Sequence, residues 1–283
     1  MSVHLIHHTL PFTGESRNFS RFVILTYPRT GSNFLIYSLQ FTKQIVCFNE
    51  LFYSKKKLVS SYPDLIFPLW VALYRNTHTH GFLNEIFKSY QRQIKAVGFK
   101  LTYSQDYTFR KKNLIPLLAE TYQTSFIHLK RKNLLKCYVS KKLMDKTSIV
   151  YAVNSPFIES FYKHTHRFIT RSALNNYTPS LHVDTNEFLA FINDINHKQS
   201  YYDKKIQDYS HITVFYEDLI KNTEQVIQDI GLLLNIPSLY VQPDTQEFPI
   251  LKLNTRPLKE IIINYNEVAD FLIKNKLEQY LEN

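Results

Sequence analysis

Short unbroken apolar runs alternate along this chain with stretches whose apolar positions recur every three or four residues. The alternation predicts strands and helices in turn. Arg21 to Tyr27 is a β-prone run closed by Pro28, and a helix is expected to begin near Ser32. Ile45 to Phe48 reads as a short second strand ending at Asn49 and Glu50, and Tyr62 to Gln93 as aromatic helices broken near His78 to Gly81. Further strands are expected at Ala96 to Thr102, Ser125 to Leu129 and Ile212 to Tyr216. Helices are expected at Asn113 to Thr121, with Pro116 in the first turn, and at about Asn133 to Met144. Asp184 with Glu187, and Asn222 with Gln225, have capping-box spacing ahead of helices running to about Asp208 and Leu234. A last helix is predicted from Leu258 to Lys276.

Strands that alternate with helices, the longest of them apolar throughout, predict an α/β fold with a central parallel sheet covered by helices on both faces. Residues 1–20 read as a poorly structured arm and 21–283 as one domain. Within it, Val150 to Pro179 lacks a clean period and is the candidate for a substrate-covering insertion.

Composition narrows the class. A chain of 283 residues with 44% hydrophobic positions can bury a sizeable core and is not a disordered one. Five glycines leave no room for a Gly-rich dinucleotide fingerprint. The formal charge of +10 suits an anionic partner, but the Lys and Arg residues are scattered, which reads as a solvated basic surface before nucleic-acid binding. Two cysteines without CxxC spacing, and no apolar run of signal-peptide or membrane-span length, lead us to expect a cytoplasmic protein. The pairs His78/His80 and His164/His166 have HxH spacing but no neighbouring Cys or carboxylate in a ligand pattern, so no metal is expected.

The chemistry concentrates where the first strand ends. Pro28-Arg29-Thr30-Gly31-Ser32-Asn33 joins strand to helix, and Gly31 permits a turn that residues with a Cβ resist. Backbone N–H groups from Thr30 to Asn33 lack intrahelical partners there and, with the positive end of the helix dipole, form a socket for a phosphate-like anion. Arg29, Thr30, Ser32 and Asn33 add a cation and three polar side chains. The Lys and hydroxyl of GxxxxGK[ST], needed for a nucleoside triphosphate and magnesium, are missing, since Gly31 is followed by Ser32, Asn33 and Phe34. A second strand runs out into cations in the same way at Phe126 to Lys132 and is followed by a helix carrying Ser140.

Pro28 to Ser32 resembles the 5′-phosphosulfate loop of the sulfotransferases, enzymes that use 3′-phosphoadenosine 5′-phosphosulfate (PAPS). Arg131 with Ser140 resembles that family's 3′-phosphate motif, at the spacing found in small soluble bacterial members of the trehalose and nodulation-factor type. Lys132 with Ser140 has the shorter family spacing and stays open as the alternative. Arg131 is favoured because a guanidinium grips a phosphate with two hydrogen bonds. Val214 to Leu219 is similar to the family strand ending in Tyr-Glu-Asp, which places Tyr216 near the adenine. Lys252 to Leu258 is similar to a closing segment whose Arg256 reaches the 3′-phosphate.

The resemblance implies a P-loop-like sulfotransferase fold and transfer of a sulfuryl group from PAPS to a hydroxyl or amino group of a small-molecule acceptor. That acceptor is a sugar, a glycolipid or a specialised metabolite such as an alkaloid. The product nucleotide is 3′-phosphoadenosine 5′-phosphate (PAP), and no metal, nucleic acid or membrane span enters. Arg29 then stabilises the leaving phosphate, Glu50, 19 positions after Gly31, is the base, and Lys100 sits near the sulfuryl group or balances Glu50. Two other readings compete. An ATP-dependent small-molecule kinase needs the missing Lys and magnesium ligands, and a basic nucleotide- or RNA-binding module needs neither Glu50 nor paired phosphate motifs.

Overall fold

Ser20–Thr26 (β1) is the central strand of a five-stranded parallel sheet. The computed structural model describes residues 18–52, 58–59, 66–67, 69–88, 90–109, 113–154, 167–240 and 250–281. Described residues of 1–27, 32–130 and 201–244 form one compact unit, and those of 28–31, 131–200 and 245–283 a second, so the two interleave along the sequence.

The first unit holds the sheet. After β1 come Ser32–Gln40 (α1), Ile45–Glu50 (β2), the short pair Leu58–Val59 (β3) and Ile66–Phe67 (β4), and the helices Leu69–Thr77 (α2) and Thr79–Ile86 (α3). Ala96–Thr102 (β5) leads directly into Tyr103–Thr108 (α4). Leu114–Pro116 (α5) then continues as a π-helical turn at Leu117–Thr121 before Thr124–Lys130 (β6). Farther on lies His211–Phe215 (β9), after two strands of the second unit. The sheet order is β2-β5-β1-β6-β9, every neighbouring pair parallel.

The period-two pattern of β1 explains why both faces are covered. Val23 and Leu25 join a cluster with Val97, Phe99, Phe126 and helical residues such as Phe82 and Leu118. Phe22 and Ile24 face the other way, against Leu35, Ile36 and Leu39 of α1 and Ile227 and Ile230 of Thr223–Leu233. Gly98 lies where β5 passes β1, and a Cβ there would stand 2.3 Å from the Phe22 carbonyl oxygen. Because all five strands are parallel, their carboxyl ends share one edge, with Thr26 in register with both Thr102 and Leu129. Thr26 Oγ1 donates to the Leu129 carbonyl at 2.8 Å and ties β1 to β6 at that edge.

In the second unit, Ile149–Val153 (β7) pairs in parallel with Arg167–Thr170 (β8) and antiparallel with Ile250–Leu251 (β10). Leu134–Thr147 (α6) precedes β7 and Arg171–Leu174 (α7) follows β8. Thr185–Ile206 (α8) begins in the second unit and ends in the first. Asp184 Oδ1 accepts the N–H groups of Asn186 and Glu187, each at 2.9 Å, so the predicted cap is present. Glu187 turns its carboxylate to Tyr138 and Lys142.

Several expectations change. The helix predicted from Leu258 to Lys276 is two, Leu258–Ile261 and Tyr265–Lys274, because Ile262 breaks away to form a β-bridge with Leu181. Val150 to Pro179 contains β7, β8 and α7, elements too short to show a period, while residues 155–166 lie outside the described set. Tyr216, predicted to end a strand, instead opens the helix Tyr216–Lys221. Among the described residues no helix is long and apolar enough to cross a membrane.

Candidate functional site

Arg29, three residues past the end of β1, has φ 69°, in the left-handed region that costs a residue with a Cβ about 1–2 kcal/mol. Gly31, at φ 87°, carries no such cost. Several contacts hold Arg29 there. Its Nε donates to Ser140 Oγ at 3.0 Å, its Nη1 to the Val150 carbonyl at 3.3 Å, and its own carbonyl accepts Arg131 Nη1 at 2.9 Å. Cys137 Sγ approaches the Pro28 carbonyl at 3.6 Å. A strained residue held by this many contacts is a frequent mark of a ligand site. Arg29, Arg131 and Ser140, predicted from two separate motifs, thus form one hydrogen-bonded group.

Arg131 is half-buried within this group, whereas Lys132 is exposed. Lys252 keeps an exposed side chain, yet its ammonium is pulled below the ordinary pKa, first by loss of surrounding solvent and then by the charge of Arg131. Two cations that feel each other's charge suit a multiply charged anion. The sequence reading named Lys252 only as the start of a segment, because nothing in its immediate neighbours announces Arg131. Thr30 and Ser32 are buried and Asn33 half-buried, at the start of α1.

Asn133 caps α6 between Arg131 and Ser140. Its Oδ1 accepts the Lys136 N–H at 2.9 Å and its Nδ2 donates to the Tyr280 carbonyl at 3.0 Å, both from a buried position. Asn133→Ala removes the cap and strands that carbonyl, and urea unfolding is expected to show a loss of about 2 kcal/mol.

A second group lies in the first unit, at the carboxyl edge of the sheet. Glu50 is the last residue of β2, not beyond it as predicted, at a register shift after Phe48. Lys100 Nζ lies 2.7 Å from Glu50 Oε1, and Gln105 Nε2 donates to Oε2 at 2.6 Å. The Lys100 side chain is 7% exposed and that of Glu50 30%. A carboxylate has about four lone-pair sites, so these two contacts among the described residues occupy about half of them. The next carbonyl, of Leu51, accepts Arg75 Nη1 at 2.7 Å, and burial lowers the Arg75 pKa to about 10.

Gln105 was missed by the sequence reading. Thr102 and Gln105 have capping-box spacing directly after a strand, a visible sign of a helix start, but that spacing says nothing of Glu50, 55 positions away.

Tyr216 is half-buried at the start of its helix. Arg256 Nε lies 3.3 Å from Glu260 Oε2, and its Nη2 donates to the Glu260 carbonyl. Among the described residues no group of three or more His, Cys, Asp or Glu is arranged to hold a metal ion. His78 stacks on Tyr74 and His80 tilts against Tyr122, while His164 and His166 lie outside the described residues.

No protein-family model matches the chain, and no curated protein matches it. Among solved structures, mouse sulfotransferase SULT7A1 complexed with PAP aligns over 98% of this chain and 90% of its own, with 11% identity and a TM-score of 0.40. At that identity and score the likeness assigns neither fold family nor activity, and the α/β class rests on the parallel sheet itself.

Proposed function

We propose that this chain is a PAPS-dependent sulfotransferase acting on a hydroxyl or amino group of a small-molecule acceptor. The observation that carries the reading is the hydrogen-bonded group of Arg29, Arg131 and Ser140, in which the two phosphate motifs meet although 111 positions separate Arg29 from Ser140. The basic pair of Arg131 and Lys252 fits a nucleotide bearing a 3′-phosphate.

In this reading the donor, when bound, supplies an activated sulfuryl group. N–H groups from Thr30 to Asn33 and the Arg29 guanidinium bind its 5′ end, Arg131 and Ser140 bind its 3′-phosphate, and Tyr216 packs near the adenine. Arg256 must leave Glu260 before it can add a contact. Glu50 accepts the acceptor's proton on a carboxylate oxygen, and Lys100 and Gln105 hold that carboxylate in place. A cytoplasmic setting belongs to the same reading, Cys47 and Cys137 being buried thiols.

Calorimetry without magnesium tests it. PAP is expected to bind at least about tenfold more tightly than ADP, one charge-assisted contact being worth about 1.4 kcal/mol or more. Arg131→Ala is expected to erase most of that preference and Lys132→Ala to leave it. Equal binding of ADP and PAP would sink the proposal.

A further inference from the structure

We infer that Gln105 is a positioning residue that orients the Glu50 carboxylate. The inference rests on the proposed role of Glu50 as base. Gln105 is 4% exposed, and both ends of its amide are engaged. Its Oε1 accepts the Thr102 backbone N–H at 3.0 Å. A backbone N–H can only donate, so it selects the oxygen end of the amide and leaves Nε2 to face Glu50 Oε2. Lys100 also can only donate, to Oε1. Both Glu50 oxygens therefore act as acceptors in a plane set from two sides.

The helix that carries Gln105 is itself clamped. Tyr103 stacks on Tyr202 with centroids 4.4 Å apart, and its hydroxyl lies 2.5 Å from His128 Nε2. Tyr202 Oη lies 3.0 Å from both the Tyr103 carbonyl and Asp106 Oδ2, and Lys205 Nζ lies 2.7 Å from the same carboxylate oxygen. Gln105 cannot swing with its backbone, so its amide fixes a direction as well as filling a hydrogen bond. Small displacements of a catalytic group cost up to about 100-fold in rate, the scale on which such a residue acts.

The test uses the whole chain. Gln105→Leu keeps the volume and removes both hydrogen bonds, and it is expected to lower kcat about 10- to 100-fold with KM for PAPS and PAP affinity unchanged. In a Glu50→Gln background the same change is expected to have no further effect, because its action runs through Glu50. Gln105→Glu keeps an acceptor for Thr102 but sets a carboxylate against Glu50, so the acid limb of the pH–rate profile is expected to move to higher pH. This second variant decides the matter if Gln105→Leu does not fold.

Wild-type turnover in Gln105→Leu, or an equal loss in both backgrounds, overturns the inference. A readout independent of turnover separates it from the functional reading. In a nitrogen-15 spectrum one Gln105 side-chain amide proton is expected downfield and slow to exchange, and Glu50→Ala should abolish both features. Failure of PAP binding with that signature intact refutes the sulfotransferase reading alone, and its absence refutes the Gln105 contact.

Discussion

Glu50→Gln is expected to lower sulfuryl transfer by about 10²- to 10⁴-fold, the range for loss of a general base, while PAP affinity stays within about threefold. The substitution is nearly isosteric, but its chemistry is wrong at two contacts. Lys100 and Gln105 both present donors to Glu50, and an amide has only one acceptor end. One contact becomes donor against donor, and the nearly buried Lys100 ammonium loses its counter-charge. A modest loss of stability should accompany the loss of rate, so urea unfolding belongs beside the steady-state assay. Turnover within threefold of wild type, with the fold intact, would remove Glu50 from the mechanism.

The second large effect concerns stability in acid. His128 is fully buried in β6, with Nε2 on the Tyr103 hydroxyl and Nδ1 at 3.0 Å from Asp203 Oδ1. Lys130 Nζ lies 2.7 Å from both Asp203 oxygens. Burial lowers the His128 pKa to about 4, and the charge of Lys130 adds to the lowering; Asp203 opposes them, and His211 contributes a smaller lowering. Between pH 6.5 and about 4 the unfolded chain therefore binds a proton that the folded chain excludes. Stability rises with pH across this window and is lost as pH falls through it. At about 1.4 kcal/mol for each pH unit between the two pKa values, the loss is on the order of 3 kcal/mol. Urea unfolding from pH 7 to 4 is expected to show that slope in the wild type and a flatter one in His128→Gln. Equal slopes would mean that other groups govern the acid transition.

Much of the molecule was legible because its signals are local. β5 was predicted at its observed limits, since a run apolar enough to be buried on both faces stands out from its neighbours. Asn222 caps its helix as predicted, accepting the Gln225 N–H at 3.4 Å, because a cap and its partner are three residues apart. Arg29 and Arg131 were expected together because cations after the ends of parallel strands leave by the same edge, and hydrogen bonds join both to one group with Ser140. Glu50 was expected just beyond the second strand and instead closes it, and its partner Gln105 was not predicted, since nothing near either residue in the chain refers to the other. The break at Ile262 was invisible for the same reason, a helical pattern giving way to a bridge with Leu181, 81 positions away.

The amino-acid sequence by itself determined the five strands of the parallel sheet, the helices that begin at clear caps, and which cations and carboxylate follow strand ends along the chain. Periodicity, caps and turns act over a few residues, and such forces can be read from neighbours. Only the tertiary structure decided the order β2-β5-β1-β6-β9, the left-handed Arg29 held by Ser140 and Val150, and the amide that aims Glu50. These features join residues far apart in the chain. Their energies come from burial and hydrogen bonds that exist only once both partners are in place.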